Sequence, residues 1–367
     1  MKATIALLPG DGIGPEVTAA AQAVLEEAFG QFGHRLEFRQ ALIGGAAIDA
    51  LGDPLPADTL ETCQASDAAF LGAVGGPQWA ASETRPEEGL LRLRKHFGLF
   101  ANLRPIPVFP PLAALAPVRA EILSGVDLLF VRELTSGLYF GPRQEQGEGA
   151  NGEGERAFDT MEYSVQEVER IAHVAFRAAR RRRRRVTSVD KANVLASMRL
   201  WRSTVDGVAK QYPDVHCEHM LVDAAAMHLL RTPAAFDVVL AGNLFGDILS
   251  DGASVLSGSL GLLPSASLGG ERFGVYEPVH GSAPDLAGQG VANPVGAILS
   301  AAMLVRHSLG LEDLALCIET AVARALDSDR LTQDLLLHGP NSSPPLTTGE
   351  MTEAILQHLG CGVFLAV

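Results

Sequence analysis

The chain has 367 residues, 47% of them hydrophobic and 20% charged, with 38 Gly and 21 Pro, which excludes a collagen, a disordered low-complexity chain and a short disulfide scaffold. Its 29 Lys+Arg against 43 Asp+Glu leave a net charge of −14, which repels nucleic-acid phosphates and anionic lipid, so neither is expected as a partner. Cys63, Cys217, Cys317 and Cys361 show no CxxC spacing and are expected as free thiols in the cytoplasm, because the apolar run from Met1 to Leu8 is far short of the ~20 residues of a membrane span and has no signal-peptide pattern.

In chain order, Ala3 to Leu8 reads as a buried strand that runs into Gly10-Asp11-Gly12-Ile13-Gly14. Pro15 and Glu16 then open an amphipathic helix with Val17, Ala20, Ala21, Val24, Leu25 and Ala28 on its apolar face. The glycines imitate a dinucleotide fingerprint, but the third position of GxGxxG falls on Pro15 or on Val17, so a tight turn is the better reading. Further strands are expected at Ala68 to Leu71, Val126 to Arg132, Val186 to Val189 and Asp237 to Ala241, with helices over Ser164 to Ala179, Asn193 to Tyr212, from Phe245 onward and over Glu350 to Leu359. Strands alternating with helices predict an α/β fold with mixed or parallel sheets, and the length predicts two domains. Gly141 to Gly154 is Gly-rich and acidic and reads as a projecting loop or hairpin arm, and His338 to Thr348 as a loop. The basic cluster, Arg177 with Arg180 to Arg185, closes a helix and is expected to be a solvated end favoured by the helix dipole.

Three groups of residues could carry chemistry. Asp247 and Asp251 are four apart on the helix after Asp237 to Ala241, so they share a face and repel each other. A divalent cation relieves that repulsion, and two carboxylates suit Mg²⁺ or Mn²⁺. A solvated Asp pair is the plainer alternative, but the apolar Leu244, Phe245, Ile248 and Leu249 around it favour the cation. Arg94, Arg104, Arg132, Lys191 and Asp223 place charge at several strand or loop ends, where arginines make bidentate clamps for carboxylates and α/β sheets carry catalytic groups. Glu277 to Gly288, followed by Asn293-Pro294, is a Gly- and Pro-rich segment with His280 and Asp285; its residues alone fit a ligand-approach loop and a rigid surface loop equally.

Taken together, Leu8 to Glu16, Gly72 to Pro77, Leu90 to Lys95 with Phe100 to Pro105, Val131 to Thr135, Ser188 to Leu195, Gly242 to Asp251 and His280 to Gly288 resemble the isocitrate/isopropylmalate dehydrogenase family. That resemblance implies a two-domain, non-Rossmann α/β enzyme. Residues 1–100 plus 257–367 would form the first, NAD-binding domain, and residues 101–256 the second, with the metal site, the dimer interface and the arm at 141–158. It implies NAD-dependent oxidation of 3-isopropylmalate at C2, loss of the β-carboxylate and protonation of the enol to give 2-oxoisocaproate, a step of leucine biosynthesis. Related diacids (isocitrate, homoisocitrate, tartrate, D-malate) are the alternatives, as is a non-catalytic subunit; the apolar Leu90-Leu91 pair suits an isopropyl group. By the same resemblance, Tyr139 and Lys191 would be catalytic, Arg94, Arg104 and Arg132 would hold the substrate carboxylates, and Glu87, Leu90, Leu91 and Val194 would line the substituent pocket. Asp223, Asp247 and Asp251 would hold Mg²⁺ or Mn²⁺ and the substrate with it. His280, Gly281, Ser282, Ala283, Pro284, Asp285 and Asn293 would hold NAD. The unit implied is a homodimer in which Lys191 and Asp223 reach the other subunit's site.

Overall fold

The apolar runs of the sequence become β1 (Lys2–Gly10), β2 (Arg35–Gln40), β3 (Ala68–Ala73), β4 (Ala101–Ile106), β5 (Leu128–Glu133), β6 (Arg143–Glu148), β7 (Glu155–Asp159), β8 (Arg185–Asp190), β9 (His216–Leu221), β10 (Val238–Ala241), β11 (Pro264–Leu268) and β12 (Gly274–Pro278). The computed structural model describes residues 1–82, 84–148, 154–336 and 344–360, so the tip of the arm, Cys361, the apolar C-terminal tail and part of the loop expected at His338 to Thr348 lie outside the described residues. The other three cysteines are free thiols. Ten strands form one sheet in the order β2-β1-β3-β12-β11-β4-β5-β10-β8-β9, and β6 pairs with β7 in a separate antiparallel hairpin at the expected arm.

The sheet is mixed. Its two ends are parallel, as crossovers through helices require. Its middle is antiparallel: β11 runs against β12 and β4, and β4 against β5. Strands from residues 1–100 and 257–367 occupy one end, and strands from 101–256 the other. Sequence patterning did not anticipate β2, β4, β9, β11 and β12. Arg104, expected at a strand or loop end, stands inside β4.

Side chains alternate across each strand, and that alternation makes the cleft. One face carries Ile5, Phe70, Leu103, Val131, Ala266 and Tyr276 into a single apolar cluster, covered by the helices Gly14–Gln31, Val165–Arg180, Ala196–Ala209, Val295–His307 and Glu312–Leu326. The opposite face holds two separate clusters, one around Leu8, Leu71 and Val275 and the other around Leu128, Phe130 and Val239. Between them the same face presents buried Glu277, Ser265, Ser267, Asn102, Arg104 and Arg132. Apolar packing is interrupted there, and a polar floor takes its place. Among the described residues no helix is long and apolar enough to cross a membrane.

The basic cluster is more than a solvated helix end, and the buried Asp237 is the reason. Its carboxylate, fully buried, accepts from Arg182 Nε at 2.9 Å and from the Arg185 backbone at 3.1 Å. Arg182 also reaches Asp127 at 2.7 Å, Arg183 donates to the Phe236 carbonyl, and Arg180 pairs with Asp214 at 2.6 Å while lying over the Tyr212 ring. A buried carboxylate left without its partner is costly. Arg182→Ala is therefore expected to lower unfolding stability by about 2 kcal/mol in urea titrations, whereas Arg181→Ala, on an exposed side chain, should change it by less than about 0.5 kcal/mol.

Candidate active site

Five elements deliver the charged groups of the cleft. Arg94 comes from the last turn of the helix Pro86–His96, Arg104 from β4, Arg132 from β5, Asp247 and Asp251 from the helix Asn243–Gly252, and Glu277 from β12. All three arginines are buried and each meets a carboxylate. Arg94 Nη2 lies 2.6 Å from Glu277 Oε1; Arg104 Nη1 lies 2.6 Å from Asp251 and its Nη2 3.2 Å from Asp247; Arg132 Nη1 donates to Asp247. The helical spacing of Asp247 and Asp251 thus serves two arginines as well as any cation. Arg94 Nε is buried and has no hydrogen-bond partner, so this guanidinium retains a donor for a ligand.

Tyr139 closes the group. It follows a short turn at Gly137, whose φ of +72° suits glycine, and its hydroxyl donates to Asp247 Oδ2 at 3.0 Å, with Arg132 5.7 Å from its ring centre. Burial, and then the Asp247 charge, push the phenol above its ordinary range against the pull of Arg132. The group therefore carries its proton at neutral pH. Burial and the neighbouring Arg104 push Arg132 downward.

Lys191 and Asp223 form a second, separate pair, with Nζ 2.9 Å from Oδ2. The lysine holds the Asp223 carboxyl below the usual carboxylate range. Within one chain Asp223 does not join Asp247 and Asp251: among the described residues no three His, Cys, Asp or Glu side chains are placed to hold a metal ion. Large apolar side chains remain exposed on the neighbouring segments, at Val194, Met227, Leu230 and Ile248. Of the residues expected to line a substituent pocket, Glu87 and Leu91 line a cavity of about 820 Å³ with Tyr139, Arg143 and Lys95. Leu90 packs against the apolar cluster behind its helix.

The Gly-rich segment after β12 is braced by the turn after β1. Gly10 and Gly12 have φ of +70° and +59°, and a Cβ on Gly12 would stand 2.0 Å from the Ser282 carbonyl oxygen, which accepts from the Ile13 N–H. The turn is tight because it must clear this loop. Asp11, buried beside it, accepts from the Gly45, Ala46 and Gly75 N–H groups and so ties in two more loops. In the braced segment His280 Nδ1 contacts the Gly281 carbonyl, its Nε2 is buried without a partner, Ser282 is buried, Ala283 takes a φ of +38°, and Pro284 and Asp285 are exposed. Asn293 is engaged in the fold, accepting from the Val295 N–H and donating to Asp334.

Sequence reasoning missed Glu277 as the partner of Arg94, and Asn102, Asn243 and Ser250 as partners of Arg104 and Arg132. The available signal was polar alternation within apolar strands, as in Asn102-Leu103-Arg104 and Ser265-Ala266-Ser267.

Residues 4–355 match the family described as isocitrate/isopropylmalate dehydrogenase. The chain is 55% identical to the 3-isopropylmalate dehydrogenase of Bacillus licheniformis, over 97% of this chain and 96% of that one, and 54% identical to that of Shouchella clausii, over 98% of each. Among solved structures it resembles isocitrate dehydrogenase from Methylococcus capsulatus with a TM-score of 0.86 and 36% identity, covering 97% of this chain and 99% of that one.

Proposed function

The chain belongs to the isocitrate/isopropylmalate dehydrogenase family, and on that premise we infer that it carries out the oxidative decarboxylation of 3-isopropylmalate to 2-oxoisocaproate in leucine biosynthesis, with a metal ion and a nicotinamide cofactor. The observation that carries this reading is the convergence of buried Arg94, Arg104 and Arg132 beside Tyr139 and the Asp247–Asp251 helix, since three fixed cations facing a cleft suit a dicarboxylate. The cation is Mg²⁺ or Mn²⁺ and the cofactor NAD. Asp247 and Asp251 fit such a cation as an all-oxygen donor pair, which Asp223 of the partner subunit completes. The segment from His280 to Asp285 fits the cofactor through its unpartnered buried His280 Nε2 and its exposed Asp285.

A cofactor held by His280 to Asp285 would supply a hydride acceptor, and a cation held by Asp247, Asp251 and Asp223 of the partner subunit would supply a Lewis acid. The protein's own groups do the rest. Arg94, Arg104 and Arg132 orient the two carboxylates. Lys191 of the partner subunit takes the proton of the C2 hydroxyl, and Tyr139, held protonated, delivers a proton to C3 once the β-carboxylate has left as CO₂. Glu87 and Leu91, with the partner subunit's Val194, surround the isopropyl group. The exposed apolar side chains at Val194, Met227, Leu230 and Ile248 support a homodimer that covers them.

Cofactor reduction followed at 340 nm with a panel of 2-hydroxy diacids should be fastest with 3-isopropylmalate, should vanish with EDTA and should return with Mn²⁺ or Mg²⁺; a faster rate with D-malate or isocitrate, or full turnover after chelation, contradicts the assignment. NAD should give the higher kcat/KM than NADP, because the Asp285 carboxylate repels a 2′-phosphate; the reverse order removes Asp285 from cofactor choice. Lys191→Ala and Arg104→Ala should each be nearly inactive. Co-refolded in equal amounts, they should recover roughly a quarter of wild-type activity, since half of the dimers are mixed and each carries one intact site. No recovery from demonstrated mixed dimers would place Lys191 in its own subunit's site.

A further inference from the structure

We propose that Asn243 is a positioning residue that fixes the guanidinium of Arg132 and the loop of Tyr139 against the helix of Asp247 and Asp251; the inference rests on the substrate role given to Arg132 above. Asn243 is the first residue of that helix and is fully buried. Its Oδ1 accepts from Arg132 Nη2 at 2.8 Å and Nε at 3.2 Å, and its carbonyl accepts from the same Nε at 2.9 Å. Its Nδ2 donates to the Ser136 carbonyl at 3.0 Å, and its backbone N–H donates to the Tyr163 hydroxyl at 2.8 Å. One side chain therefore fastens β5, the loop from 134 to 139 and the start of the helix.

The consequence for Arg132 is geometric. Nε and the outer edge of Nη2 are taken by Asn243, so Nη1 is the nitrogen turned to Asp247. The loop on the other side is equally constrained. Ser136 N–H and Thr135 N–H donate to the buried Glu133 carboxylate, which also receives Arg170, so Asn243 holds a segment that cannot drift to meet it. Only an amide serves both neighbours, because Arg132 needs an acceptor where the Ser136 carbonyl needs a donor. A carboxylate would pair with Arg132 and leave the carbonyl facing a like charge; an alkyl side chain would orphan both. A clamp that loses its orientation loses catalysis even when its charge remains.

The test compares wild type with Asn243→Ala and Asn243→Asp for kcat and for both Michaelis constants, using 3-isopropylmalate, NAD and Mn²⁺. KM for 3-isopropylmalate should rise at least about tenfold in Asn243→Ala, the scale of one lost hydrogen bond to a charged group, and less in Asn243→Asp, which keeps an acceptor for Arg132, while KM for NAD stays within about twofold in both. A merely structural loss would move both constants together or neither, and either result overturns the proposal. Tyr163→Phe keeps the buried ring, removes only the acceptor of the Asn243 N–H, and should show the same selective rise at smaller size. It decides the matter if the Asn243 variants do not fold: unchanged constants in it count against the proposal. A wild-type chain inactive on 3-isopropylmalate refutes the proposed function instead. The positioning claim then stands or falls on the crystal structure of the Asn243→Ala chain, where an Arg132 guanidinium in its wild-type orientation overturns it.

Discussion

Burying three arginines in one cleft obliges the fold to bury or half-bury carboxylates beside them, because an uncompensated guanidinium in a low-dielectric site costs more than the packing around it returns. Arg94 takes Glu277, Arg104 takes Asp251 and Asp247, and Arg132 takes Asp247. Much else follows from those pairs. The helix Asn243–Gly252 must begin where Asn243 can reach Arg132, and β12 must end where Glu277 can reach a helix from the first hundred residues. The same pairing leaves the cleft close to neutral and its donors preset.

The cleft needs a break in the apolar packing of one sheet face, and the antiparallel middle of the sheet supplies it. β4 and β11 place Asn102, Arg104, Ser265 and Ser267 on that face while Leu103 and Ala266 stay in the continuous core behind. Asn102 orients Arg104 and contacts Ser267, so the floor is one connected polar stripe. The turn after β1 plays the corresponding part beside the segment from His280 to Asp285, where two left-handed glycines and the buried Asp11 hold three loops in mutual contact.

Proposing a shared site accounts for two facts that are otherwise unrelated. Lys191 and Asp223 bind each other apart from the arginine cleft, and apolar side chains beside them face solvent in the single chain. A two-fold partner that covers the second also delivers the first.

The sequence by itself determined a good deal: the alternation of strand and helix, the tight turn after the first strand, the arm, the arginines and the paired aspartates, because each is written locally in hydrophobic period, glycine placement or helical spacing. Its motifs also carried the family resemblance. What it could not give was any relation between distant segments. Arg94 and Glu277 are 183 residues apart and Asn243 and Arg132 are 111 apart, and nothing local marks either as a pair. The same limit hid the anchoring of Arg182 on Asp237, since a run of arginines reads as solvated until a buried carboxylate is brought beside it. It also hid β4 until its pairing is in place. Local chemistry selects which groups can act; only the register of the closed sheet decides which of them meet, because side-chain direction alternates with every residue and one step would turn Arg104 into the core and Leu103 into the cleft.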